Sequence, residues 1–178
     1  MTTDKLENGL LDEYCRLLAP YKDREATFLE VGTWNGGYLE FLKHNFPSAK
    51  IHGADIVPIE IPGTHFHQVD QNKEYDLAEL AEFGPFDMIC EDGAHTASAS
   101  KTTFLALWES VRPGGMYIIE DFVAGYWAVQ NPALYGVHKG MVEVVTDFVE
   151  ARDVLGIGDF EIIMKGRACS MAVFYKKS

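Results

Sequence analysis

Three acidic residues follow two apolar runs, and their positions predict a site for a divalent cation. Asp92 comes just after Phe86–Cys90, and Glu120 and Asp121 follow Met116–Ile119. Neighbouring carboxylates raise one another's pKa, and a bound cation removes that conflict. Oxygen ligands with room for water suit Mg²⁺. We predict Asp92, Glu120 and Asp121 as metal ligands, although Glu120 and Asp121 can both serve only if the strand has already ended, since successive strand side chains point to opposite faces.

His95 lies three residues beyond Asp92, after a Gly-Ala turn. An imidazole is well matched to proton transfer near neutral pH, so His95 can take a proton from an acceptor hydroxyl beside the metal. The alternative is that His95 lies at the start of the next helix and has no role in catalysis. The neighbouring acids favour the first interpretation, and we predict His95 and Asp92 as catalytic residues.

A glycine turn in the segment Phe28–Tyr38 predicts a cofactor site. Dinucleotide-binding turns use Gly-x-Gly-x-x-Gly so that pyrophosphate can approach the backbone N–H groups. Here the glycines stand at 32, 36 and 37, and the acid Glu30 precedes them. A carboxylate there repels phosphate but suits a ligand with ammonium and sulfonium groups, such as S-adenosylmethionine (SAM). The predicted SAM-binding residues in this segment are Glu30, Gly32, Thr33, Trp34 and Gly36; the alternative is a glycine turn of some other α/β protein.

Four further polar residues complete the predicted cofactor site. Asp55 ends the predicted strand Lys50–Ile56, about 20 residues past the glycine turn, where an acid commonly binds ribose hydroxyls. Asp70 and Gln71 follow the short strand His65–Val69 and offer an acceptor and a donor for the adenine edge. Glu91, at the end of the strand that precedes Asp92, is the fourth. For Asp55 the alternative is solvent or helix capping, and for Asp70 it is capping of the next helix.

These residues require parallel strands whose carboxyl ends meet. Apolar runs alternate with helical patterns along the chain, which predicts an α/β fold: a Rossmann-like, seven-stranded, mostly parallel sheet with an antiparallel C-terminal strand and helices on both faces. The stripe over Leu6–Leu18 predicts one flanking helix within residues 1–20. The length, 178 residues, fits a single domain over 1–178.

The segment 122–140 is predicted to cover the active site. It contains Tyr126, Trp127 and Tyr135, whose rings can stack on an apolar face of a ligand, and His138, which can bond a hydroxyl. We expect these four residues to bind the substrate. The alternative is a satellite hydrophobic cluster beneath a long loop.

Composition excludes several classes of partner and location. Fifteen basic and 27 acidic residues give a net charge of −12, which disfavours nucleic acid and anionic membranes. The sequence has no apolar run that could span a bilayer, and Met1–Leu10 is too polar for a signal peptide. Three separated cysteines without a C-x-x-C pair indicate a reducing, cytoplasmic setting.

Two stretches carry a resemblance to a known family. Cys-Glu-Asp-Gly-Ala-His at 90–95 and Leu-Trp-Glu-Ser-Val-Arg-Pro-Gly-Gly-Met-Tyr-Ile-Ile-Glu-Asp at 107–121 resemble the Mg²⁺-dependent sugar O-methyltransferases of macrolide and related antibiotic pathways, and are also similar to cephalosporin-hydroxylase-like proteins. The glycine turn resembles motif I of the class I SAM-dependent methyltransferases. The resemblance covers Phe28–Trp127, where Tyr126-Trp127 matches an aromatic pair of the group, and Ala94 stands where those relatives commonly have Ser.

The resemblance implies an enzyme with two cofactors, SAM and Mg²⁺. It implies that the Asp-Gly-Ala-His and Ile-Glu-Asp segments supply the metal ligands and that His95 is the base. The expected reaction is methyl transfer to a hydroxyl of a sugar or other small polyhydroxylated natural product in antibiotic biosynthesis, and a homo-oligomer is also expected. The alternatives are a methyltransferase for a catechol-like or amino acceptor, or a non-catalytic SAM-binding module.

Overall fold

A computed structural model of the protein describes residues 3–123, 140–165 and 169–178. Within these residues the strands are β1 Thr27–Val31, β2 Lys50–Asp55, β3 His65–Gln68, β4 Phe86–Glu91, β5 Val111–Glu120, β6 Ile157–Lys165 and β7 Cys169–Lys176. The α-helices are α1 Asp4–Glu7, α2 Leu10–Leu18, α3 Gly37–Asn45, α4 Glu74–Ala81, α5 Ala97–Leu107, α6 Met141–Glu150 and α7 Arg152–Leu155. Two short 3₁₀ helices cover Ala19–Tyr21 and Trp108–Ser110.

The seven strands form one sheet in the order β3-β2-β1-β4-β5-β7-β6. The pairs among β1 to β5 are all parallel, whereas β7 runs antiparallel to both β5 and β6. Strand order reverses between β1 and β4, and ligands of open α/β sheets bind outside the carboxyl ends of the strands at such a point. The predicted Rossmann-like fold with its antiparallel C-terminal pair is confirmed.

Alternation along the strands divides the core into two layers. In β1 and β4 the side chains of Leu29 and Ile89 pack with α4, α5 and α6 on one face of the sheet. The side chains of Phe28 and Cys90 pack with α2 and α3 on the opposite face. Because side chains in a strand alternate between faces, the face of each acid at a strand end follows from its distance in sequence to these core residues.

The N-terminal segment differs from the sequence prediction. One helix was expected over Leu6–Leu18, but the structure has the short helix α1, then Asn8 and Gly9, then α2. Gly9 adopts a left-handed conformation with φ 72°, which ends α1 and turns the chain before α2 begins. The prediction was therefore wrong at this break, and the break sets where α1 lies relative to the sheet.

None of the helices in residues 3–123, 140–165 and 169–178 combines the length and the apolar character needed to cross a membrane.

Candidate active site

The carboxyl ends of β1, β2 and β4 are joined by backbone hydrogen bonds. The N–H of Gly32 donates to the carbonyl of Ala54 at 2.8 Å, and the N–H of Asp92 donates to the carbonyl of Val31 at 2.8 Å. Gly32 has φ 89°, and a Cβ atom there would lie 2.2 Å from the carbonyl oxygen of Asp92. Only glycine allows the glycine turn to approach the Asp92 backbone this closely.

A cavity of about 550 Å³ opens at this edge of the sheet. It extends from Asp70–Asn72, past Asp55–Val57 and the glycine turn, to Glu30 and Asp92–His95. Its volume is within the range of small-molecule and cofactor sites. The cavity therefore joins the predicted cofactor residues to the predicted catalytic ones.

Asp92, His95 and Asp121 lie together at one end of this region, and we call them the Asp–His–Asp group. One ligand atom from each lies within 4.8 Å of the other two. The Nε2 atom of His95 lies 3.6 Å from Oδ1 of Asp92. Two carboxylates and an imidazole at this spacing can hold a divalent cation, and their side chains are partly open to solvent and so leave room for water ligands.

Strained backbone is concentrated at this site. Among the described residues, the non-glycine residues with positive φ are Trp34 (43°), His95 (49°) and Asp121 (52°). Such conformations cost free energy and cluster at functional sites. At Asp121 the left-handed backbone follows directly after β5, so the strand has ended and the carboxylate turns towards Asp92 and His95.

Beside the Asp–His–Asp group is a second cluster, which we call the Lys5 group: Lys5, Glu30, Asp92, Glu120 and Tyr14. The Lys5 Nζ atom donates to Oδ2 of Asp92, lies 3.0 Å from Oε2 of Glu120 and lies 3.7 Å from Oε1 of Glu30. The Tyr14 hydroxyl donates to Glu120 at 2.6 Å. Lys5 is only 1% exposed. Asp92 therefore belongs to both groups, with one oxygen near each.

Burial controls the protonation of these acids. It raises the pKa of Glu30 to about 8, of Glu120 to about 7 and of Asp92 to about 6, although Lys5 opposes each shift. Burial also raises the pKa of Asp121 to about 6, with Glu120 adding to the shift and His95 opposing it. Burial lowers the pKa of Lys5, but the surrounding acids outweigh it and hold that pKa well above its ordinary value.

The structure separates Glu120 from the predicted metal ligands. Its side chain lies in the Lys5 group, bonded to Tyr14, while Asp121 joins Asp92 and His95. The physical reason is alternation: Glu120 is two residues beyond Ile118, which packs on the face of α2, so Glu120 points to that face as well. The prediction of Glu120 as a metal ligand is not supported by its position.

Sequence reasoning missed Lys5 and Tyr14. Lys5 was not predicted as a site residue because buried lysines are rare and because the helix was expected to begin after it. One signal was available, since Lys5 is the only Lys or Arg in residues 1–15 of a strongly acidic chain. Tyr14 was identified only as part of the apolar stripe of its helix.

The glycine turn is shaped by Asp55. Its carboxylate accepts hydrogen bonds from the backbone N–H groups of Thr33 at 2.8 Å, Trp34 at 3.1 Å and Val57 at 3.0 Å. Asp55 lines the cavity, together with Gly32, Thr33 and Trp34. Oδ2 accepts the bonds from Thr33 and Trp34, including a 3.5 Å bond from the Thr33 hydroxyl, whereas Oδ1 accepts only from Val57. Each carboxylate oxygen has two acceptor positions, so one position on Oδ1 remains for a ribose hydroxyl. Gly36, with φ 78°, precedes α3 and forms the bend of the turn.

The predicted adenine residues lie at the far end of the cavity and have other partners. The Asp70 carboxylate accepts from the backbone and side chain of Asn72, closing a local turn. Gln71 donates its Nε2 atom to Glu91 at 3.0 Å and Thr103 at 3.2 Å, and its Oε1 atom accepts from the N–H of Ala94 at 2.6 Å. Gln71 thus braces the loop that carries His95, and its amide donors are already used.

Glu91 does not line the cavity. It is completely buried and points to the face of Ile89 and α5, the opposite face from Glu30. The prediction that Glu91 contacts the cofactor is therefore not supported by its position. The predicted acceptor residues Tyr126, Trp127, Tyr135 and His138 lie outside the described residues, and their role stays a prediction.

Comparison with known proteins identifies the family. Residues 5–156 match the FtsJ-like methyltransferase family. The chain belongs to this family.

Relatives of this family member include sugar O-methyltransferases. It is 36% identical over 125 residues to mycinamicin VI 2''-O-methyltransferase of Micromonospora griseorubida, which covers 64% of this chain and 31% of the relative. It is 37% identical over 129 residues to demethylmacrocin O-methyltransferase of Streptomyces fradiae, covering 64% of this chain and 32% of that protein. The chain thus spans about a third of the length of these curated relatives. The predicted resemblance to macrolide sugar O-methyltransferases is confirmed.

A solved structure supports the same relationship. The MycE methyltransferase of the mycinamycin biosynthetic pathway, in complex with Mg and S-adenosylhomocysteine (SAH), superposes with a TM-score of 0.78 and 26% sequence identity. The match covers 93% of this family member and 48% of the MycE chain. The methyltransferase NodS of Bradyrhizobium japonicum, at 14% identity and a TM-score of 0.65, shares the fold.

Proposed function

We propose that this protein is a SAM- and Mg²⁺-dependent O-methyltransferase that methylates a hydroxyl of a sugar or a similar small polyhydroxylated molecule. One observation carries the proposal: Asp92 and His95 of the Asp–His–Asp group line the same cavity as the glycine turn, with Asp121 beside them. A base and a cation site beside a cofactor pocket are what transfer to a hydroxyl needs. The relatives named for sugar O-methylation, and the Mg and SAH in the MycE structure, support it.

We assign the cofactor to the wall of the cavity between Glu30 and Asp70. Glu30 has one buried oxygen, Oε2, with no hydrogen-bond partner among the described residues, and an ammonium group of SAM would satisfy it. The turn at Gly32–Trp34 provides backbone close to the ligand, and Asp55 has one acceptor position for a ribose hydroxyl. Asp70 remains the candidate for the adenine edge.

The donor set of the Asp–His–Asp group fits a divalent cation. Asp92 and Asp121 would supply oxygen ligands, and burial raises the pKa of each to about 6, so a cation would favour the ionised forms. When bound, Mg²⁺ supplies Lewis-acid polarisation of an acceptor hydroxyl. His95 accepts the proton of that hydroxyl at Nε2, and the Asp92 carboxylate 3.6 Å away stabilises the resulting imidazolium. The cavity holds the methyl donor and the acceptor in line.

Thermal denaturation with ligands tests the cofactor assignment. SAM or SAH should raise the melting temperature, because a ligand that binds only the folded state stabilises it. Glu30→Ala and Asp55→Ala should reduce that shift, whereas Asp147→Ala, at an exposed ion pair, should leave it unchanged. If NAD stabilises the protein and SAM does not, the assignment is wrong.

A turnover assay tests the reaction. Incubation with SAM, Mg²⁺ and a panel of glycosides should yield O-methylated products detectable by mass spectrometry. Transfer only to catechols or amines would contradict the sugar assignment, and SAM binding without transfer to any acceptor class would favour a non-catalytic module.

Location and assembly are also proposals. The cysteines Cys15, Cys90 and Cys169 are free thiols, which supports a reducing cytoplasmic compartment. A homo-oligomer remains an expectation from the resemblance to the sugar O-methyltransferases, and its test is the mass of the protein in solution by light scattering.

A further inference from the structure

In the Lys5 group the positive charge among the carboxylates is the side-chain ammonium of Lys5. This inference rests on the proposed function, since it concerns how many divalent ions the site can take. We infer that the Lys5 ammonium fills a second cation position, formed by Glu30, Asp92 and Glu120, and thereby excludes a divalent ion from it. Lys5 is thus a positioning residue of the metal site.

The geometry around Lys5 is that of a cation position. Its Nζ atom has Asp92 in direct contact, Glu120 at 3.0 Å and Glu30 at 3.7 Å. To reach the ligand distances of Mg²⁺, Glu120 at 3.0 Å would need to move inward by about 1 Å and Glu30 at 3.7 Å by about 1.6 Å. Rotation of the two side chains would close these gaps.

The position also has a ligand atom with no partner, next to the wall of the cavity. Oε2 of Glu30 is buried and has no hydrogen-bond partner among the described residues. Glu30 and Lys5 both line the cavity, so the carboxylates around Lys5 lie directly behind its wall. Buried carboxylates require a cation, and Lys5 meets this requirement within the folded chain.

Lys5 and Tyr14 together keep Glu120 out of the Asp–His–Asp group. Oε2 of Glu120 accepts a hydrogen bond from the Tyr14 hydroxyl at 2.6 Å and lies 3.0 Å from Lys5. Asp92 is held by Lys5 through Oδ2, while Oδ1 lies on the side of His95. Lys5 therefore leaves one Asp92 oxygen and the Asp121 carboxylate for an exchangeable ion.

The number of bound Mn²⁺ ions tests this inference. Mn²⁺ replaces Mg²⁺ as a probe because electron paramagnetic resonance reports the free ion, so a titration counts the bound ions without any turnover. Lys5→Met removes the charge and keeps much of the length, and it should bind one more Mn²⁺ per chain than the wild type. Lys5→Arg keeps the charge and should bind the wild-type number. Lys101→Met, which removes an exposed lysine 3.4 Å from Asp147, is the matched control and should also bind the wild-type number.

The outcomes separate this inference from the proposed function. An additional ion in Lys5→Met supports the inference, and an unchanged number overturns it, whatever number the wild type binds. A wild type that binds no Mn²⁺ contradicts the metal part of the proposed function alone. If Lys5→Met does not fold in chelator, the melt is repeated with Mn²⁺: recovery of a cooperative transition supports the inference, and failure to recover while Lys5→Arg folds overturns it.

Discussion

The Lys5 group and the Asp–His–Asp group, which share Asp92, differ in burial and in the cation that balances their negative charges. In the Lys5 group, Glu30 and Glu120 are each 2% exposed, and their cation is a lysine from α1. In the Asp–His–Asp group, Asp92, His95 and Asp121 are partly exposed, and the arrangement suits an ion from solution. Both are acidic clusters at the same strand ends, so the residue types alone do not distinguish them.

Under the proposed function the difference is one of burial: a lysine of the protein neutralises the buried cluster, and an ion from solution would neutralise the partly exposed one. The charges of a fully buried cluster must be neutralised when the chain folds, and a lysine of the same chain provides the opposite charge in the folded state. The charges of a cluster that opens to a cavity are stabilised by water, so such a cluster does not need a bound ion to fold.

The largest effect is expected from removing the exchangeable ion. Chelation with EDTA should abolish turnover, and Mg²⁺ should restore it, because under the proposed function the acceptor hydroxyl is no longer polarised. Asp121→Asn should reproduce the loss in the presence of Mg²⁺ while leaving the SAM-induced melting shift intact. Full turnover in chelator would leave the Asp–His–Asp group without a catalytic ion.

His95→Ala should lower the rate of methyl transfer by roughly 10²–10⁴-fold if His95 is the base. A base is not needed for metal binding, so Mn²⁺ affinity should stay near that of the wild type. The comparison of the two measurements separates the roles, because a large loss of Mn²⁺ affinity would make His95 a ligand instead.

Lys5→Met should lower the free energy of unfolding by about 3–5 kcal/mol in chelator, since it leaves buried carboxylates without their partner. Lys101→Met removes an exposed ion pair and should cost only about 0–1 kcal/mol. Urea denaturation measures both. Equal, small losses would mean that the Lys5 group contributes no more than a surface pair.

The last expected effect is a gradual pH dependence of stability in chelator and without cofactor. Folding raises the pKa of Glu30 from an ordinary value of 4.5 to about 8, so the folded protein keeps a proton that the unfolded chain releases. This contribution is complete below about pH 4.5 and is lost as pH rises to about 8, at up to about 1.4 kcal/mol per pH unit. Glu30→Gln should show a shallower decline across this range in denaturation experiments, and identical declines would contradict the assignment.

The sequence predicted well what depends on neighbours along the chain or on adjacent strand ends. Asp92 and His95 are three residues apart, and Asp121 follows the strand beside them, so a parallel sheet was enough to bring them together. The glycine turn was predicted for the same reason, because its residues are contiguous and its conformation requires glycine at Gly32.

Other features depended on details that no local pattern carries. The contribution of Lys5 follows from the left-handed break at Gly9, which divides the predicted helix and directs α1 onto the strand ends. The prediction placed Glu91 and Glu120 at strand ends but did not apply the alternation of side chains. Glu91 is one residue beyond Cys90 and lies on the opposite face, whereas Glu120 is two residues beyond Ile118 and lies on the same face.

The contact between Gly32 and Asp92 has a consequence for engineering this protein. The backbone of the cofactor turn rests directly on the backbone that carries a proposed metal ligand, with no side chain between them to absorb a change. A library that enlarges the turn to admit bulkier sulfonium donors would therefore also shift Asp92. A change in the range of sulfonium donors would then also change the metal affinity. A library selected for new alkyl donors should therefore also vary the residues of the loop 92–95 from its first round.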